Sequence, residues 1–306
     1  MTLAHWIRRS AFIFLLIALC LSVSSCGPRS GQVSVRLPRL SWNPPTMGAV
    51  KATLTGTTFR RFVDESDRIL LLRFPQTVTE QGLASQLGVR NDRLDDLSSR
   101  YLEENAAIER EILDRLHAYS RESLSAEDQA ICDARDAAWT TLLAQQDAPP
   151  AIQAFGPGDE SWNQRLIRRF AAVAEIDTEG GLVDYIQCLH QAARQVNQMR
   201  TWLEQGVKRG TLPSRADLTA ALVSMSQLRV RETWSTSEYL PDRIIAAHHP
   251  FFALLRDQVV DADFLDAATR TAYLNNANRV VEREIIPAYE RLANYLAQLL
   301  NKLGVS

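Results

Sequence analysis

The chain has 306 residues, 46% of them hydrophobic, with 34 basic residues against 36 acidic ones and a formal net charge of −2. That is enough apolar material for one large domain or two small ones with a real core. Only Lys51, Lys208 and Lys302 among the basic residues are lysine, and no basic patch forms. Nucleic acid is therefore excluded as a partner, because neutralising phosphates needs clustered positive charge.

The first element is an export signal. Arg8 and Arg9 precede an uncharged apolar run from Ala11 to Leu21, and Val23-Ser24-Ser25 then leads to Cys26. Basic, apolar and small segments in that order are what a secretory signal requires. The run has 11 residues, short of the roughly 20 that cross a bilayer as a helix. An uncleaved anchor is disfavoured because Ser22 to Arg29 turns polar, and an ordinary signal because an Ala-x-Ala-like cleavage site is absent. Ser24-Ser25-Cys26-Gly27 instead resembles the bacterial lipobox, whose cysteine is lipidated and becomes the new N-terminus. We expect residues 1–25 to be removed and Cys26 to hold lipid. The chain would then sit on the periplasmic side of a bacterial membrane, with the membrane as its partner through the anchor. One acyl chain holds a protein only marginally, so several are needed. Gly27, rather than an aspartate, favours the outer membrane by analogy with Gram-negative sorting.

From Cys26 to Thr58, prolines (Pro28, Pro38, Pro44, Pro45), glycines and serines dominate, which reads as a tether. From Phe59 to about Leu303 the apolar period is helical, and no alternating strand pattern or hairpin signal interrupts it. Tyr101, Ile108, Ile112, Leu116 and Tyr119 make one stripe, and Ser125 to Asp128 resembles a capping box before a helix bearing Ile131, Trp139 and Leu142. Gln146 to Trp162, with Pro149-Pro150 and Gly156-Pro157-Gly158, reads as a long loop. Leu182 to Gly206 reads as a long helix that Gly206 and Gly210 stop. Pro213-Ser214 then starts a helix with Asp217 at the capping position and Leu218, Leu222, Met225 and Leu228 on its buried face. The last helix, from about Asp263 to Leu300, contains Pro287. That ring clashes with the carbonyl of Arg283 and predicts a kink or break. The fold class is all-α: a single domain of roughly eight to ten helices, many in long antiparallel pairs.

Chemistry-bearing motifs are sparse. Cys132 and Cys188 remain after Cys20 leaves with the signal, and their separation rules out a Cys-x-x-Cys metal pair. We read them as separately buried thiols, with a Cys132–Cys188 disulfide as the alternative in an oxidising compartment. His248-His249 lacks a nearby carboxylate to complete a ligand set and reads as packing at a helix start. His117 and His190 read as surface residues. There is no His-Glu-x-x-His pair, nucleophile elbow or phosphate loop, and the stripe of Trp162, Phe170 and Tyr185 reads as helix packing. No catalytic residue, metal site or cofactor is expected.

The order of short motifs resembles one family. Phe74-Pro75, Gly82-Leu83, Leu87-Gly88-Val89 and Leu94-Asp95-Asp96-Leu97-Ser98 resemble the opening of the domain-of-unknown-function 885 family of bacterial proteins. Asp184-Tyr185 with Leu189, Gly206-Val207 to Pro213, Pro250-Phe251-Phe252 and Ile286-Pro287-Ala288-Tyr289 continue the match. The resemblance implies a second half bearing a His-Glu-x-x-Pro-Gly-His motif of the zinc-peptidase kind, and no residue here matches that motif. It leaves two expectations: a non-catalytic binding or scaffold domain, or one half of a split metallopeptidase-like enzyme that needs a separate chain. A truncated gene remnant is a third. On either of the first two readings, the apolar face of the last helices (Val280, Ile285, Tyr289, Leu296) must be packed internally, exposed, or covered by a protein partner.

Overall fold

The computed structural model describes residues 43–146, 162–173, 176–210, 214–229 and 248–304. The export signal, Cys26 and residues 147–161 of the expected long loop lie outside them. Among the described residues the regular structure is helical, with no β-strand, as the 3.6-residue period requires.

Four helices enclose a smaller, N-terminal core: α1 (Met47–Leu54), α2 (Phe59–Leu71), α5 (Ser99–His117) and α6 (Ala126–Gln146). Here Phe62 meets Trp139 edge-on with ring centroids 6.3 Å apart, and Phe59 meets Tyr119 likewise at 5.5 Å. Ile108, Ile112 and Leu116 supply the α5 stripe. The Ser125 hydroxyl accepts the Asp128 N–H at 3.1 Å and donates to its carboxylate, so the expected cap of α6 is present. α1 corrects the tether reading. Thr46 caps this helix, and Val50 and Leu54 are buried in the core, so the folded body begins ahead of Phe59. Eight residues with two buried positions are too few to show a period.

Two short helices follow, α3 (Pro75–Glu80) and α4 (Ala84–Leu87). Gly88, at φ 68°, closes α4 in the left-handed conformation that glycine adopts without a Cβ penalty. The chain then runs without regular structure until α5.

The main core gathers α7 (Trp162–Val173), α8 (Glu179–Lys208), α9 (Arg215–Ser224), α10 (Pro250–Val259), α11 (Ala267–Val280) and α12 (Ile286–Gly304). α8 has 30 residues, or about 45 Å of axis. It is longer at both ends than the pattern suggested. Gly206 is buried inside it, and the stop comes at Gly210 (φ 83°). The capping box of α9 pairs Ser214 with Asp217 as expected.

Pro287 does not break the last helix. A π turn, Val281–Ile285, joins α11 to α12, and the Ile286 N–H reaches back to the Val281 carbonyl. The extra residue in that turn accommodates the ring that would otherwise strike the Arg283 carbonyl. The apolar face of the last helices is covered from within. Val280, Ile285, Tyr289 and Leu296 are all buried, and α8 and α9 pack against α12.

Candidate functional site

A cluster of buried polar groups gathers at one seam, where the segment between α4 and α5 lies along α8. Gln191, Gln195 and Gln198 project from one face of α8, because spacings of four and three residues keep side chains in register on a helix. A primary amide carries a donor and an acceptor like those of a peptide group, so such a stripe can pair with an extended backbone as a neighbouring strand would.

The geometry follows that logic. Gln191 accepts the Leu94 N–H at 3.0 Å and donates to the Asp92 carbonyl at 2.7 Å. Gln195 donates to the Asp95 carbonyl at 3.0 Å and to the Gln76 side-chain oxygen at 2.5 Å. Gln198 accepts the Leu97 N–H at 2.9 Å and donates to the Asp96 carboxylate at 2.7 Å. Backbone groups buried without partners would each cost about 1–3 kcal/mol, so the stripe lets an irregular segment run through the interior.

Asp95 and Gln76 form a reciprocal pair within the seam. The Gln76 N–H, an otherwise free donor at the start of α3, gives a 2.9 Å bond to the Asp95 carboxylate, and the Gln76 side chain accepts the Asp95 N–H at 3.0 Å. Burial pushes the Asp95 carboxyl up to about 7. The Gln76 bond opposes that rise, Glu80 adds to it, and Arg165 and Arg169 oppose it. Asp96, by contrast, is held below its ordinary value: hydrogen bonds from Ser98 and Gln198 outweigh its partial burial.

On the α7 side, fully buried Arg169 donates to the carbonyls of Arg93 at 3.1 Å and Asn91 at 3.4 Å. Burial lowers its pKa, against the opposing influence of Cys188 and Asp95. Arg90 holds Asp184 through two guanidinium nitrogens, and the Tyr185 hydroxyl donates to the Phe251 carbonyl at 2.6 Å.

Cys132 and Cys188 are free. Cys132, half-buried on α6, packs against the N-terminal core, while Cys188 lies in the main core on α8. The two thiols thus belong to different cores. Burial pushes Cys188 up to about 11, and its thiol donates to the Asn91 carbonyl at 3.3 Å. A nucleophilic cysteine needs a lowered pKa, and Cys188 has the reverse. His249 is buried at the start of α10, where its Nδ1 accepts the Phe251 N–H at 3.4 Å, and burial brings it down to about 4. His117 and His190 lie at the surface beside Asp136 and Glu284. Trp162, Phe170 and Tyr185 are buried in the main core, where Phe170 stacks on Phe251 at 4.4 Å.

Among the described residues no cluster of three or more His, Cys, Asp or Glu side chains could hold a metal ion. No described helix is long and apolar enough to cross a membrane. The glutamine stripe escaped sequence reading because glutamines on a helix normally face water; the available signal was their common face opposite a polar, proline-free segment.

The sequence pattern of one family, described as bacterial protein of unknown function (DUF885), matches residues 75–304. That span begins at Pro75, the first residue of α3, and contains the whole seam. No curated protein and no solved structure matches the chain.

Proposed function

Because the chain belongs to the DUF885 family of bacterial proteins, we propose that it is a lipoprotein of the bacterial envelope whose helical domain binds or scaffolds and does not itself catalyse. The observation that carries this reading is how the interior polar groups are used. Asp95, Gln76, Arg169 and the three α8 glutamines are each bonded to backbone of the α4–α5 segment or to one another. Their hydrogen bonds fasten chain to chain, whereas catalytic groups converge on a space that a substrate can fill. The basic, apolar and small segments ahead of Cys26 support export and lipid attachment on the periplasmic side, and Gly27 after it supports the outer membrane as destination.

Cell fractionation tests the anchor. Wild-type protein should pellet with membranes and resist high salt, while Cys26→Ala should appear in the soluble fraction without the acyl mass. A Cys26→Ala protein that still pellets through its N-terminus would refute lipid attachment at this residue.

A further inference from the structure

We propose that Asp95 is a proton-operated latch: with its carboxyl protonated the 91–98 segment stays fastened to α3 and α8, and with it ionised the fastening loosens. Few donors face this group. Asp95 is buried, and among the described residues its carboxylate receives one hydrogen bond, from the Gln76 N–H. A buried carboxylate is stable when two or three donors surround it; with one, the charged form gains by reaching water.

The surroundings do not make up the shortfall. From α3, Glu80 presents a like charge; from α7, Arg165 and Arg169 present opposite ones. Arg169, though, points its bonded nitrogen at the carbonyls of Asn91 and Arg93. Its Nε and Nη1 have no partner among the described residues. From α8 the facing group is the uncharged amide of Gln195, whose oxygen is buried with no donor, and Cys188 lies beyond, against Arg169. From α5, Tyr101 is pushed above its ordinary value, chiefly by burial, with Asp95 and Asp96 adding to the rise. Asp96 and Asp92 are the acids of the segment itself. The same residue thus holds the segment through its backbone, at Gln76 and Gln195, and strains it through its side chain when ionised.

The direction follows from linkage. The fastened carboxyl titrates near 7, while a released one titrates near the ordinary value of about 4. The fastened state therefore binds the extra proton between those values. Fastening is strongest below about pH 4, weakens by up to about tenfold per pH unit as pH rises to about 7, and is constant above.

Hydrogen–deuterium exchange of the mature protein, corrected for intrinsic rates, reads this directly. The Leu94, Asp95 and Leu97 amides are bonded in the seam, so peptides covering 91–98 should lose protection between pH 4 and 7. Peptides from the α5 stripe around Ile112 should change less. In Asp95→Asn, which cannot ionise, the seam-specific loss should vanish. Should that variant not accumulate, Glu80→Gln at the exposed end of α3 removes the neighbouring like charge, and the loss should end at a lower pH. Protection in wild type that ignores pH, an undiminished loss in Asp95→Asn, or an unmoved endpoint in Glu80→Gln would each overturn the latch.

Discussion

Replacing Phe170 by alanine should destabilise the domain by about 3–5 kcal/mol, the usual cost of emptying a buried aromatic site. Phe170 is fully buried, stacks on Phe251 and meets Tyr185 edge-on at 5.1 Å. Each aromatic contact adds about 0.5–1.5 kcal/mol beyond the area buried. Tyr185 in turn holds the Phe251 carbonyl, so α7, α8 and α10 are joined at this one point. Urea denaturation should show a large fall in the midpoint for Phe170→Ala and a small one for Phe170→Leu, which keeps most of the volume. Equal midpoints for wild type and Phe170→Ala would mean that α7 is not part of the main core.

Gln195→Met is the second large expectation. Methionine fills the same space but supplies neither donor, so the buried Asp95 carbonyl loses its 3.0 Å bond. Gln76 keeps the Asp95 N–H as a partner. One orphaned buried carbonyl costs about 1–3 kcal/mol. The matched control is Gln205→Met, further along α8, where the side-chain bonds to Ser99 are long, at 3.4 and 3.5 Å, and half-buried. There the change should stay within about 0.5 kcal/mol. Denaturation curves that rank the two substitutions equally would show that the stripe does not stand in for a strand.

Much of this architecture is legible in the sequence, because helices announce themselves through period and caps. The α5 stripe, the Ser125 and Ser214 caps and the disturbance at Pro287 are all local signals. What depends on distant parts of the chain is not legible. Pro287 announces a disturbance, but whether it becomes a kink or a π turn depends on how the rest of the fold packs against the helix. Val280, Ile285, Tyr289 and Leu296 announce an apolar face without saying what covers it. The seam is harder still, since each glutamine is unremarkable alone and gains its meaning only from a segment about a hundred residues away in the chain. Asp95 is legible as part of a family motif; its burial, and so its titration near neutrality, belongs to the fold.

The non-catalytic reading is tested most directly by peptide hydrolysis with purified protein, residues 26–306, in the presence of added zinc. Asp95, Gln195 and Arg169 each bond backbone within the seam, so turnover should not exceed that of buffer with zinc alone. Hydrolysis that rises in proportion to protein concentration and is abolished by a chelator would contradict the account, and would make this chain an enzyme in its own right.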